Sequence, residues 1–225
     1  MSDRKLILFD WDGTLSDIPK VLTLALPEFS KLMNLPYDIQ KFSIGYFDPK
    51  TEDMGWGLSF EEQVIMREKW NAFLLEKTLN DNLYIAPLYV DALQVFQDLQ
   101  KEYDLGIVTA RDRMSLLHMI KHHEIDKDII AYRSSSCAME NGYEIKPSPD
   151  AIISFIKETG HAIDRTVMIG DAPADIEMAK AAGVKSIAAL WGIYPEKILE
   201  AAAPTILLKD IKDLPQVLEG IFENV

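Results

Sequence analysis

The sequence is short of the residues that would staple a small fold together. One cysteine, Cys137, stands among 225 residues, so no disulfide can close within the chain and a thiolate zinc site would lack ligands. Basic residues are scarce beside acidic ones, 23 Lys and Arg against 36 Asp and Glu, for a formal charge of -13. That is the wrong sign for a surface that tracks a nucleic-acid backbone. No apolar stretch reaches membrane-spanning length, and the opening run Lys5–Phe9 is too short for a signal-peptide core. Internal repeats and low-complexity segments are missing as well. These absences set the expectation of a soluble, cytoplasmic protein that binds neither nucleic acid nor membrane; the oligomeric state is not legible in the sequence, and a monomer is the default.

What the sequence does have is material for a core: 48% of its residues are hydrophobic, enough for one sizeable domain or a domain carrying an insertion. Short continuous apolar runs at Lys5–Phe9, Leu105–Thr109, Thr166–Gly170 and Lys185–Leu190 read as buried strands, with weaker runs at Thr205–Leu208 and Ile129–Tyr132. Helical patterns separate them. Val90–Gln100 repeats near 3.6 residues, Ser148-Pro149 reads as an N-cap and first helical position, and the alanine-rich Asp175–Ala182 stops at Gly183. Alternating strands and helices predict an α/β protein, a Rossmann-like parallel sheet with helices on both faces.

The alternation breaks once. Between the first strand and the helix at Val90 no strand pattern appears, while Lys20–Leu32 is amphipathic and Ser59 with Glu62 forms a capping-box pattern. This predicts a helical cap over residues 18–85, inserted into a core made of residues 1–17 and 86–225. An insertion there would follow the carboxyl end of the first strand, the edge at which open α/β sheets bind ligands.

Four segments carry candidate chemistry. In Phe9-Asp10-Trp11-Asp12-Gly13-Thr14, Asp10 closes a buried strand, Asp12 can reach the same space and Gly13 allows a tight reversal. Two acids so close repel unless a cation or shared proton compensates; the bland alternative is an acidic turn. Thr109-Ala110-Arg111 ends a second strand with a hydroxyl, and Arg111 could fork onto phosphate or be an ordinary helix-start residue. Lys146-Pro147-Ser148-Pro149 fixes a lysine before a helix, to neutralise an acidic cluster or merely to face solvent. Gly170-Asp171-Ala172-Pro173-Ala174-Asp175 again ends a strand in an acid, with a second acid at a helix start. Together they supply oxygen ligands of the kind Mg²⁺ prefers, with a lysine beside them.

These four elements, in this order, resemble the haloacid dehalogenase superfamily and its phosphatase branch, closest to the phosphoglycolate phosphatase and β-phosphoglucomutase group. The resemblance spans Lys5 to about Leu208 and implies a cap of the helical type. It implies that Asp10 is the nucleophile and becomes an aspartyl-phosphate, and that Asp12 protonates the leaving group and then activates water. It further implies that Thr109 and Lys146 bind the phosphoryl group, and that Mg²⁺ is held by Asp10, the Asp12 carbonyl and Asp171, with Asp175 in support. Trp11, Gly13, Ala110 and Arg111 complete the implied substrate loops, Trp11 through its backbone N–H. The implied partner is a small phosphorylated metabolite. A mutase that returns the phosphoryl group to a sugar is the alternative, and an idle regulatory protein a more distant one. An acid at Asp12 disfavours carbon–halogen and phosphonate chemistry.

Two positions depart from the family pattern, Ala110 where Asn is frequent and Ile18 where Ser is frequent, and both bear on the substrate. His118 and His122 read as a solvated helix face, and Trp56, Trp70 and Trp191 as packing residues. Lys20, Lys41, Lys50 and Arg67 are possible anion contacts of the cap that read more simply as surface residues.

Overall fold

Strand β1 (Leu6–Phe9) is four fully buried apolar residues, and its neighbours on both sides are parallel to it. In a computed structural model, which describes residues 4–45, 54–125, 130–134 and 144–223, it lies inside a six-stranded parallel sheet of order β3-β2-β1-β4-β5-β6. The other strands are β2 (Asp104–Thr109), β3 (Ile130–Ser134), β4 (Thr166–Gly170), β5 (Lys185–Ala189) and β6 (Ile206–Leu208). Burial on both faces of β1, β2, β4 and β5 explains why these four read as unbroken apolar runs instead of alternating ones. Cys137 and Lys50 lie outside the described residues.

Successive side chains of β1 point to opposite faces. Leu6 and Leu8 join Val108, Ile152, Phe155, Met168 and Met178 in one buried cluster. Phe9 stacks at 5.6 Å, tilted, on Phe96 of helix α4 (Ala92–Leu99). That helix begins at Ala92, not at Val90, because Asp91 adopts a left-handed backbone at φ 66°. After β2 comes α5 (Arg113–His122), capped by the Asp112 carboxylate, which accepts from the Ser115 N–H at 2.9 Å. Helix α6 (Asp150–Thr159) precedes β4. Pro149, not Ser148, occupies its N-cap position; the Ser148 hydroxyl accepts from the Asp150 N–H at 3.4 Å. Helix α7 (Pro173–Ala182) opens on proline and ends at Gly183, φ 74°, a left-handed closure that glycine adopts without strain. Helices α8 (Glu196–Ala201) and α9 (Leu214–Glu223) complete the fold.

The chain divides into two compact units, Met1–Ser16 with Leu88–Val225, and Asp17–Pro87. The second contains α1 (Ile18–Met33), α2 (Ile39–Gly45) and α3 (Phe60–Asp81). Helix α3 starts with the capping box read from Ser59 and Glu62: the Ser59 hydroxyl accepts from the Glu62 N–H, and the Glu62 carboxylate accepts from the Ser59 N–H at 2.9 Å. The core of this unit is aromatic. Phe29, Phe42, Trp56 and Trp70 are fully buried, and Phe42 meets Trp70 edge-on at 4.9 Å. Edge-to-face packing of this kind adds about 0.5–1.5 kcal/mol per pair beyond burial.

Candidate active site

The strand order reverses direction between β1 and β4, with β2 and β3 on one side and β5 and β6 on the other. At such a switch point the loops leaving two adjacent strands diverge and open a crevice at their carboxyl ends. Asp10 follows β1 there, its N–H donating to the Ile169 carbonyl at 2.8 Å. Asp171 follows β4. Two glycines let the acids crowd together: a Cβ at Gly170 would overlap the Asp175 carboxylate, and one at Gly13, where φ is 84°, would overlap that of Asp171.

The buried centre holds three carboxylates and one ammonium. Asp10, Asp171 and Asp175 can each offer an oxygen within 4.8 Å of the others. The Lys146 ammonium donates to Asp10 Oδ1 at 2.8 Å and to Asp175 Oδ1 at 2.6 Å. Asp175 is fixed further as the Ala172 N–H donates to its Oδ2 at 3.1 Å, at the first turn of α7. Thr14 donates to Asp171 Oδ1 at 3.1 Å, and the Ile193 N–H donates to Oδ2 at 2.8 Å.

The electrostatics follow from that count. Burial pushes the Asp10 carboxyl up to about 7; Lys146 opposes the rise, and the charges of Asp175 and Asp12 add to it. Burial together with repulsion from Asp10 and Asp175 holds Asp171 well above the usual carboxylate range, against the pull of the Ile193 N–H and the Thr14 hydroxyl. Burial would weaken the charged form of Lys146, but the attraction of Asp10 and Asp175 outweighs it and raises its pKa. Lys146 and Asp10 are one ion pair, so the ammonium stays charged, while Asp10 and Asp171 are held toward their protonated forms until a cation is near. An all-oxygen donor set with more acids than one ammonium can balance fits a hard divalent cation such as Mg²⁺. Asp10, Asp171 and Asp175 are the side chains that would hold it.

Asp12 stands outside this cluster. Its carboxylate accepts from Arg111 Nε at 2.9 Å and Nη2 at 2.7 Å, and from the Ser16 hydroxyl at 3.2 Å. The fork read for Arg111 thus grips a carboxylate of the protein itself, a bidentate pairing that guanidinium geometry favours. Thr109 is buried, and its Oγ1 accepts from the Arg111 N–H at 3.1 Å. Ala110 is exposed. The Trp11 side chain is fully buried and serves the core, while its backbone carbonyl accepts from the N–H groups of Leu15 and Ser16 and so shapes the loop.

Asp10, Asp171, Asp175 and Lys146 thus form one buried group, and Asp12, Arg111 and Thr109 a second, linked set. Four participants were not singled out from sequence: Thr14, Ser16, Gly170 and the segment Trp191-Gly192-Ile193. Trp191 is more than packing, since its indole N–H donates to the Thr14 carbonyl at 2.9 Å.

The haloacid dehalogenase-like hydrolase family model matches residues 7–189, and the chain belongs to that family. It is 26% identical to a phosphoglycolate phosphatase of Aquifex aeolicus over 228 residues, covering 96% of this chain and 97% of that one. It is 27% identical to the pyrophosphatase PpaX of Bacillus velezensis over 221 residues, covering 95% and 97%. Among solved structures, a haloacid dehalogenase-like family hydrolase from Streptococcus pneumoniae shares the fold with a TM-score of 0.77 at 22% identity, over 96% of this chain and 99% of that chain.

Proposed function

We propose that the chain is a Mg²⁺-dependent phosphatase that hydrolyses a small phosphorylated metabolite through an aspartyl-phosphate on Asp10. The observation that carries this reading is the buried group of Asp10, Asp171 and Asp175 with one ammonium, Lys146. Phosphoryl transfer asks a protein for in-line positioning and for cations beside the transferred group. A bound Mg²⁺ would supply charge stabilisation to the phosphoryl oxygens.

The chain's own groups account for the remaining steps. An Asp10 carboxylate oxygen attacks phosphorus as the bond to the leaving oxygen breaks, and Asp12 donates a proton to that oxygen. Water then attacks the phosphorus of the acyl-phosphate, Asp12 takes its proton, and phosphate leaves with Asp10 restored. Lys146 orients Asp10 throughout and offsets its charge. The Arg111 fork holds Asp12 on the same side of the sheet as the nucleophile. Burial of Asp10 and Asp171 strengthens these interactions by excluding bulk solvent.

Phosphoglycolate is the first substrate to test, and pyrophosphate the second because relatives bear both names. Each carries a second anionic group beside the reacting phosphoryl. The cytoplasm is the compartment that fits a single cysteine. Among the described residues no helix is long and apolar enough to cross a membrane.

Phosphate release should be measured from phosphoglycolate, pyrophosphate, sugar phosphates and nucleoside monophosphates, with Mg²⁺ and with chelator. Release that needs Mg²⁺ and disappears in Asp10→Asn supports the reaction. Turnover unchanged in Asp10→Asn would refute the nucleophile, and a phosphoryl group retained on a sugar would identify a mutase instead.

A further inference from the structure

We propose that the segment leaving β5, Trp191-Gly192-Ile193, is a positioning element that sets the Asp171 carboxylate for the divalent cation. This inference rests on the metal-dependent reading of the site. Trp191 touches neither cation nor substrate in this scheme; it acts through Thr14.

Four contacts build the element. The Ile193 N–H donates to Asp171 Oδ2 at 2.8 Å, and the Thr14 hydroxyl donates to Oδ1 at 3.1 Å. Each oxygen is therefore oriented by its own donor, one from the loop after β5 and one from the loop after β1. Those loops are tied to each other by the Trp191 indole, which donates to the Thr14 carbonyl at 2.9 Å. The fourth contact is steric. A Cβ at Gly192 would overlap the Asp171 side chain, as would one at Gly13. Asp171 is thus wedged between two glycine backbones, with one hydrogen bond to each oxygen and only 1% of its surface exposed. An ionised carboxylate has about four lone-pair sites, so two single donors leave lone pairs on both oxygens for a cation while removing rotational freedom.

Hydrogen bonds to a ligating carboxylate from the surrounding shell typically govern metal affinity about 10- to 100-fold. The alternative for Trp191 is that its ring only fills space. Trp191→Phe separates the two, because it keeps most of the ring and removes the indole N–H.

The test is a calorimetric titration of the metal-stripped full-length protein with Mn²⁺, and the Mg²⁺ dependence of turnover. Trp191→Phe should weaken Mn²⁺ binding about three- to tenfold, the loss expected for one hydrogen bond. The Mg²⁺ concentration for half-maximal turnover should rise by the same factor, with kcat at saturating Mg²⁺ held within about twofold. Gly192→Ala should weaken Mn²⁺ binding about 10- to 100-fold; if that variant does not fold, Trp191→Phe decides alone. Mn²⁺ binding by Trp191→Phe within about twofold of the unmodified protein would overturn the inference and leave the proposed reaction standing. No Mn²⁺ binding by the unmodified protein would overturn both.

Discussion

The two ends of the sheet pair their polar groups in opposite ways. At the amino-terminal end, Asp104 opens β2 and pairs with Arg4 at 3.0 Å and with His161 Nε2 at 2.9 Å. The other ring nitrogen of His161 is 2.6 Å from the Thr159 hydroxyl, which itself donates to the Phe155 carbonyl. Arg4 also donates to the carbonyls of Gln100 and Tyr103. Every group there meets a counterpart of matching character. At the carboxyl-terminal end three carboxylates are buried with one ammonium, which pairs with Asp10 and Asp175 and leaves Asp171 without a charged partner in the group. The first arrangement closes on itself and fastens secondary structure. The second sets one ammonium against three acids, and the raised carboxyls of Asp10 and Asp171 favour keeping their protons until a cation arrives. Of the first network His161 is buried while Arg4, Asp104 and Thr159 keep contact with solvent; the second is buried throughout, and burial joined to imbalance is what distinguishes a site from a fastening.

The comparison can be broken most directly at Lys146. Lys146→Met leaves Asp10 and Asp175 facing each other without their cation. It should cut phosphate release by about 10³-fold, as loss of a preorganised charge does, and lower stability by about 3–5 kcal/mol in urea unfolding at neutral pH. Retention of more than about a tenth of the activity would show that the ammonium is not used as argued. Arg111→Ala comes next. With Asp12 no longer gripped, turnover should fall about 10- to 100-fold, part of what a positioned general acid contributes, and Arg111→Lys should recover little of it because an ammonium cannot reproduce the fork.

A third prediction concerns pH. Asp10, pushed up to about 7, and Asp171 are acids whose folded pKa lies above the unfolded value of 3.8. The metal-free fold therefore keeps them protonated where the unfolded chain has already released its protons. The contribution of Asp10 to stability falls as pH rises from about 4 through about 7, and that of Asp171 falls in the same direction as pH rises beyond the usual carboxylate range. A cation favours the ionised forms, so the rise in thermal midpoint caused by Mg²⁺ should be small at about pH 5 and larger at about pH 8. Equal shifts at both values would remove the link between the raised carboxyls and the metal. The smallest effect belongs to the other end of the sheet: Asp104→Asn should cost about 1–2 kcal/mol of stability and leave kcat within about twofold. A larger loss of activity there would mean that the amino-terminal network is not merely a fastening.

The sheet was legible because fully buried parallel strands need unbroken apolar runs, and Thr166–Gly170 coincides with β4 to the residue. Boundaries slipped where a polar residue begins an element. Asp104 opens β2 although the apolar run starts one residue later, and Val90, 79% exposed, mimicked the period of a helix that starts beyond it. The acids and Lys146 were visible because each sits at a strand end or a helix start. The grip of Arg111 on Asp12 was not, since the two are 99 positions apart and local spacing says nothing of such a pairing. Trp191 was set aside as packing, yet its place was a usable signal. It stands just beyond the apolar run Lys185–Leu190, as Asp10 and Asp171 stand just beyond theirs, and a glycine follows it.

The way Asp17–Pro87 joins the rest of the chain has an evolutionary side. Ser16 and Leu88 form an antiparallel bridge, the Tyr89 N–H donates to the Leu15 carbonyl, and the Asp17 N–H donates to the Pro87 carbonyl. Departure and return thus run side by side like the two legs of a hairpin. Whatever is spliced between those legs, long or short, reaches the sheet through the same pair of stems and asks no change of register from β1. The inserted unit is in this sense a cassette. Asp10 before it, and Asp171 and Asp175 after it, all belong to the other unit.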